Sequence, residues 1–285
     1  MINEQHLLAY PIPEIRQRLS WQDVALYNIS VGLGQDPMDT RQLPFTYEPG
    51  MTAMPSMAVV LGYPGFWLKA PDTGVDWVKV VHGEQSLVLH KPLPAAGEII
   101  GRSRVTRIVD RGAGKGALIY SERVVLDAAT GEPLATLEST TFARGDGGFG
   151  GAPGPVRQPH PEPEGPPEVT LDLPTRPEQA AIYRLNGDHN PLHIDPDVAQ
   201  KAGFPRPILH GLCTFGVVCH ALLRALCDYD VARFGRMDLR FSAPVFPGET
   251  IRTEIWHEAG GAAFRARVVE RDVVVVSNGL FRFAA

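Results

Sequence analysis

The segment from Gly145 to Pro174, GDGGFGGAPGPVRQPHPEPEGPPEVTLDLP, constrains this chain more than any other. Proline removes backbone donors and glycine costs the most conformational entropy, and no apolar periodicity offsets either. Such a stretch builds no core element, apart from the short strand-like EVTLDL near its end. It divides the 285 residues into halves of similar size. The expected organisation is two units, 1–144 and 168–285, joined by a Pro/Gly-rich connector over 145–167.

The halves repeat one another. HGEQSLVLHKPLPAAGEIIGRSRV (His82–Val105) lines up with FGRMDLRFSAPVFPGETIRTEIW (Phe234–Trp256), with one extra residue in the first copy. Each copy reads as a strand, a proline, a Gly-Glu turn (Gly97-Glu98 and Gly248-Glu249) and a second strand. Further on, IYSERVVLD (Ile119–Asp127) corresponds to FRARVVERD (Phe264–Asp272). The copies lie about 150 residues apart, too far for a solenoid period, so a duplicated domain is expected.

Local patterns fill in each copy. Phe264, Ala266 and Val268 alternate with Arg265 and Arg267, as in a half-buried antiparallel strand, and Val273–Val276 is a β-branched run. Leu212, Phe215, Cys219, Leu222, Leu223 and Leu226 recur at helical spacing along GLCTFGVVCHALLRALC. Asp195 can cap a short helix that starts at Pro196 and ends at Gly203. In the first half TAMPSMAVVLG (Thr52–Gly62) is the expected counterpart of the long helix, disturbed by Pro55. The fold class that follows is α+β, with one antiparallel sheet wrapped around one long central helix, twice.

Composition removes several function classes. A 44% apolar, 21% charged chain of net charge −5 has no bulk basic footprint for nucleic acid. Cys213, Cys219 and Cys227 lie in one apolar segment without CxxC spacing, which fits buried thiols of a reducing compartment better than disulfides or zinc thiolates. The N-terminal MINEQHLLAYPIPEIRQRLS has no signal-peptide core, no apolar run nears the roughly 18 residues of a membrane span, and FRFAA is not a peroxisomal address. A cytoplasmic chain with neither membrane nor nucleic-acid partner is expected.

Chemistry concentrates in NGDHNPLHID, Asn186 to Asp195. Asx residues with glycine and proline form turns for their own sake. Here, however, a turn set by Gly187 and Pro191 would also bring Asp188 toward His193, and a carboxylate beside an imidazole can divide acid and base roles. A metal site is the third option, from His189 and His193 with Asp188 or Asp195, and His210 as a possible further ligand. Pro191 breaks the helix that an i, i+4 histidine pair would use, so no metal is expected. His220, on the long helix, reads as a hydrogen-bonded core histidine, and His160, in the connector, as solvent-exposed.

YRLNGDHNPLH (Tyr183–His193), with Ala199 beyond it, resembles the signature of the enoyl-coenzyme A hydratase 2 family, the MaoC-like hydratases of the hot-dog fold. AGFPRPILHGLCTFG (Ala202–Gly216), FSAPVFPGET (Phe241–Thr250) and, in the first half, FARGDGGFGG (Phe142–Gly151) match further segments of that family. The two-repeat form is the one resembled, and it implies a double hot-dog. It also implies an (R)-specific hydro-lyase that hydrates trans-2-enoyl-CoA reversibly, without a cofactor, since coenzyme A is part of the substrate.

By the same resemblance Asp188 and His193 share one water, with His193 as base and Asp188 as proton donor, and Asn190 orients them. The backbone N–H of Gly211 faces the thioester oxyanion. This agrees with helix physics, because first-turn N–H groups are unpaired at the positive end of the dipole. Tyr183 and His210 are counted with the substrate contacts, and Lys115, Arg206 and Arg240 are candidates for the anionic groups of coenzyme A. The first half lacks the motif near VGLGQDPMDTRQLPFTYEP, so one active site per chain is expected, with the first repeat accommodating the acyl tail. A homodimer is the expected assembly. The alternatives are a dehydratase on acyl carrier protein, a branched short-chain enoyl-CoA hydratase, a thioesterase, or a non-catalytic acyl-CoA-binding module.

Overall fold

A computed structural model describes residues 1–151 and 154–284. Its strands are β1 (Ile15–Leu19), β2 (Val80–Leu89), β3 (Gly97–Asp110), β4 (Ala117–Asp127), β5 (Pro133–Ala143), β6 (Val169–Pro174), β7 (Phe234–Phe241), β8 (Thr250–Glu258), β9 (Gly261–Val268) and β10 (Val273–Phe283). The helices are α1 (Glu4–Leu8), α2 (Trp21–Ser30), α3 (Leu43–Thr46), α4 (Gln179–Tyr183), α5 (Pro196–Lys201) and α6 (Gly211–Cys227). All ten strands join one antiparallel sheet in the order β1-β3-β4-β5-β2-β7-β10-β9-β8-β6.

Each half, read inward from its own edge, contributes its first, third, fourth, fifth and second strands. The duplication seen in the sequence is therefore a duplication of topology. The halves meet where β2 pairs β7, and there the Ser86 hydroxyl donates to Asp238 at 2.6 Å.

α6 runs beneath the second half of this sheet. Thirteen of its 17 residues are buried, so it has no wet face of the kind an amphipathic surface helix keeps. His220 is sealed on it, 1% exposed. Its Nδ1–H donates to the Val31 carbonyl (3.3 Å), and its Nε2 accepts from the Tyr229 hydroxyl (3.0 Å).

Burial pushes His220 down to about 4 from the usual 6.5. Above pH 6.5 both folded and unfolded states leave it neutral, so it has no effect on stability there. Between 6.5 and about 4 only the unfolded state takes the proton, and stability is lost as pH falls. Thermal melting from pH 7.5 to 4.5 is expected to show this loss. His220→Gln is expected to make the dependence shallower, leaving the share of the other buried histidines His82, His193 and His210.

The first half shortens its helix. TAMPSMAVVLG forms one 3-10 segment, Pro55–Val59, with Pro55 at its first turn. Gly62 then turns left-handed (φ +57°) and the following Pro64 and Gly65 stop continuation. The segment still packs under β2 and β5 and against α6, so it keeps the helix's place without its length. Beyond its end, Gly101 on β3 presses on Gly62: a Cβ at Gly101 would lie 2.1 Å from the Gly62 carbonyl oxygen and 2.6 Å from its Cα. Backbone cannot yield to a methyl as a side chain can, so Gly101→Ala should destabilise the fold by about 1–3 kcal/mol or more, measurable by denaturant titration.

In the connector, residues 154–168 form no helix or strand but are pinned to the outer face of the sheet. Arg157 bridges Glu138 (3.2 Å) and Asp238 (2.9 Å), one from each half. His160 is not free in solvent as expected: it holds Glu258 at 2.8 Å and is 18% exposed at its side chain. No helix among the described residues is long and apolar enough to cross a membrane.

Candidate active site

The polar motif is built from short, capped turns. α4 tightens into a 3-10 turn (Arg184–Asn186) that Gly187 ends at φ +116°, a conformation open to glycine. Asp188 Oδ1 then accepts from the Asn190 N–H (3.1 Å), and Asn190 Oδ1 caps the next 3-10 turn, Pro191–His193, through the Leu192 N–H (3.1 Å). Asp195 caps α5 by accepting from the Asp197 and Val198 N–H groups, and Gly203 (φ +87°) follows its end, as the sequence pattern required. The loop after α5 is tied down by the Leu209 N–H donating to the Val245 carbonyl at 2.7 Å.

These turns face the first half. Asn186 Nδ2 donates to the Ser30 hydroxyl (3.1 Å) and the Tyr183 carbonyl (2.9 Å), and Gln179 Nε2 donates to the Ser30 carbonyl. The end of α2 thus fixes the motif from the opposite repeat.

Asp188 and His193 do come together, and His210 joins them. One carboxylate oxygen and one ring nitrogen from each histidine lie within 4.8 Å of one another. His193 Nδ1–H donates to the Ile208 carbonyl at 2.9 Å, which fixes the tautomer and leaves Nε2 with a free lone pair. Burial lowers the His193 pKa, only partly offset by the Ile208 hydrogen bond and the Asp188 charge. The imidazole is therefore neutral and basic at pH 7.

His210 stacks on His193, with centroids 3.8 Å apart and 30° between planes. Its Nε2–H points to the Asp188 carbonyl oxygen (3.3 Å), while its Nδ1 is buried without a partner. Burial and then the His193 charge push it to about 4.

An added water and an added metal ion would meet this cluster differently. One water bridging two groups spans roughly 5 Å through two hydrogen bonds, which suits this spacing. Zinc ligands sit about 2 Å from the ion and point their lone pairs at one centre, which two face-stacked imidazoles do not.

α6 begins directly behind this pair. Gly211 is its first residue, and no acceptor among the described residues takes the Gly211 N–H. A Cβ there would meet only the Phe241 ring at ordinary contact, 3.6–3.8 Å, so close packing is not what glycine serves.

The other expected site residues divide. Asn190 is exposed and its carbonyl is committed to the turn, so it shapes the loop that presents Asp188. Tyr183 and His210 are each 1% exposed, so they lie behind the pair instead of lining an open contact surface. Tyr183 tilts on His210 at 5.0 Å, with its hydroxyl unpartnered.

Arg206 is exposed, donates to the Pro247 carbonyl (3.0 Å) and sits over Phe246 (4.9 Å). Lys115 is exposed in the β3–β4 turn, two strands away from β2. Arg240 must be corrected. It alternates with the core residue Leu239, so it points to the outer sheet face, where Glu84 neutralises it at 2.7 Å.

Sequence reasoning missed the first-half contributors. A register shift between His82 and Glu84 turns His82 toward Phe241, 5.0 Å between rings, and His82 feels the Asp188 charge. Burial holds His82 at about 4. Tyr63 also lies near Asp188, whose charge adds to burial in raising its pKa. Arg184, inside the motif itself, has a buried Nε without a partner and helps keep His210 neutral.

Known proteins share both the halves and the whole. Residues 18–145 match the model described as MFE-2 hydratase 2 N-terminal domain, and residues 158–279 match the MaoC like domain. A 3-hydroxyacyl-thioester dehydratase Y of Mycobacterium tuberculosis is 42% identical over 93% of this chain and 92% of its own. A protein named Enoyl-CoA hydratase 2, peroxisomal, from Arabidopsis thaliana is 35% identical over 97% and 94%. The crystal structure of a MaoC-like dehydratase from Phytophthora capsici superposes with a TM-score of 0.87 at 35% identity, covering 99% of both chains. With the topology repeated strand for strand and relatives of this similarity along nearly its full length, the chain belongs to the MaoC-like, hydratase 2 family in its double hot-dog form.

Proposed function

We propose that the protein is an (R)-specific enoyl-CoA hydratase, a hydro-lyase that adds water to trans-2-enoyl-CoA and runs in reverse as a dehydratase. The observation that carries this reading is the Asp188/His193 pair at one-water spacing beside the unclaimed Gly211 N–H. The names of the Arabidopsis and Mycobacterium relatives describe the two directions of such a reaction.

In this reading His193 Nε2 accepts a proton from the water as its oxygen adds to C3. The C2=C3 electron pair moves to the thioester oxygen, and the Gly211 N–H at the head of α6 stabilises that enolate. The proton taken by His193 passes to the Asp188 carboxylate, which delivers it to C2 and restores the carbonyl. Both side chains then stand as they began. His210 stays neutral, supports the His193 ring from behind and holds the Asp188 backbone.

No step needs a metal or cofactor. The three buried, unlinked thiols support a reducing compartment such as the cytoplasm.

The test is the ultraviolet absorbance of the conjugated thioester, followed with crotonyl-CoA and with the matching acyl-carrier-protein substrate, alongside a thiol assay. A hydratase loses the absorbance and releases no thiol. Thiol release would make it a thioesterase, and turnover restricted to the carrier-protein substrate would make it a carrier-protein dehydratase.

A further inference from the structure

Arg123 stands in the middle of β4 and faces inward. It pairs in register with Leu137 of β5, and the row continues through Leu87, Met237 and Phe281. Those four are at most 3% exposed. By the correspondence of Ile119–Asp127 with Phe264–Asp272, the second repeat has Val268 in this place, fully buried. An arginine thus ends an apolar inner row in the first repeat alone.

No carboxylate among the described residues neutralises it. One guanidinium nitrogen, Nη2, donates to the Val59 carbonyl at the end of the 3-10 segment, and Nε is buried without an acceptor. The guanidinium lies 5.3 Å over the Tyr63 ring, and the groups that face it are the Tyr63 and Tyr183 hydroxyls, not a carboxylate. Burial pulls its pKa down to about 10. The Tyr183, Tyr27 and Ser56 hydroxyl oxygens are also buried and unpartnered, and Tyr183 packs between Tyr27 (6.1 Å) and His210 (5.0 Å).

Arg123 is partly buried with its Nε sealed, and a guanidinium held this far from water without a counter-ion is costly. Water can satisfy its hydrogen bonds but not its charge. A carboxylate does both, in the bidentate geometry that arginine presents. Tyr63 connects the two places, since Arg123 covers its ring and the Asp188 charge reaches its hydroxyl.

We propose that Arg123 binds a carboxylate carried on the acyl chain, so that the preferred substrates are monothioesters of unsaturated dicarboxylic acids. This rests on the hydratase reading above. A carboxylate supplied by the substrate completes the charge that the fold leaves open, and the first repeat selects for the far end of the chain while the second performs the chemistry.

The test compares trans-2-enoyl-CoAs of short, medium and long chain, each with a terminal methyl or a terminal carboxylate, on wild type, Arg123→Met and Arg123→Lys. At the fitting length the wild type should favour the carboxylated member in kcat/KM by about tenfold to a hundredfold, the worth of a hydrogen bond to a charged group. Arg123→Met should erase that ratio, and Arg123→Lys should retain part of it.

An unchanged ratio in Arg123→Met, with only a lowered melting temperature, would overturn the proposal and leave Arg123 as a pin for Val59. Absence of turnover with every enoyl-CoA would count against the hydratase reading instead. Calorimetric binding of saturated carboxylated and methyl-terminated acyl-CoAs to wild type and Arg123→Met then decides the role of Arg123 separately.

Discussion

Asp188→Asn and His193→Ala are each expected to lower kcat for crotonyl-CoA hydration by about 10²–10⁴-fold, the usual contribution of a positioned acid or base. Both side chains act on the same water, so the double variant should lose little more than the worse single one. The fold should survive, because Asp188 is only half-buried and its one side-chain hydrogen bond, from the Asn190 N–H, is kept by asparagine's carbonyl.

The pH profile carries a second signature. Burial lowers the pKa of His193 below the imidazole norm of 6.5, and only the neutral form can accept a proton. Activity should therefore persist as pH falls through 6.5 and decline only below it. A full-activity His193→Ala, measured by loss of enoyl absorbance, would remove the base from the mechanism.

Gly211→Pro is the second large effect. Proline at the first helical position deletes an N–H that no acceptor among the described residues takes, and helices accept it there. The preceding His210 already has φ −57° and ψ 135°, the extended region that a pre-proline residue prefers. Folding should be nearly unaffected, while loss of an oxyanion donor costs about 10²–10³ in kcat.

Gly211→Ala is the control. Its N–H remains and its methyl meets only the Phe241 ring at ordinary contact distance, so its kcat should stay near wild type. Equal rates for the alanine and proline variants, by steady-state kinetics, would take Gly211 out of the oxyanion site.

The sequence made some of this legible and hid the rest for physical reasons. The motif turns, the Asp195 cap, the strands of each repeat and α6 were readable because each is set by residues close in sequence. α2 carried a local signal as well: Ser20 and Asp23 form a capping box, with the Asp23 carboxylate accepting the Ser20 N–H at 2.8 Å.

The 3-10 segment at Pro55–Val59 is shorter than the helix expected there, although Pro55 at its start and Gly62, Pro64 and Gly65 beyond its end are local stop signals. What the sequence hid is its packing on β2, β5 and α6. Arg240 was misplaced because charge and proximity to a motif do not say which sheet face a residue occupies. His82, Tyr63 and Ile208 were invisible for a related reason. They reach the site only through the β2–β7 seam, a strand bulge and a loop crossing, which are properties of the assembled sheet.

The most direct measurement is the configuration of the 3-hydroxyacyl-CoA formed from a trans-2-enoyl-CoA, resolved by chiral separation or by coupling to stereospecific dehydrogenases. Water held between Asp188 and His193, with the thioester oxygen at the Gly211 N–H, predicts the (3R) product alone, with its formation lost in Asp188→Asn. A (3S) product, or (3R) product formed at undiminished rate by Asp188→Asn, would contradict it.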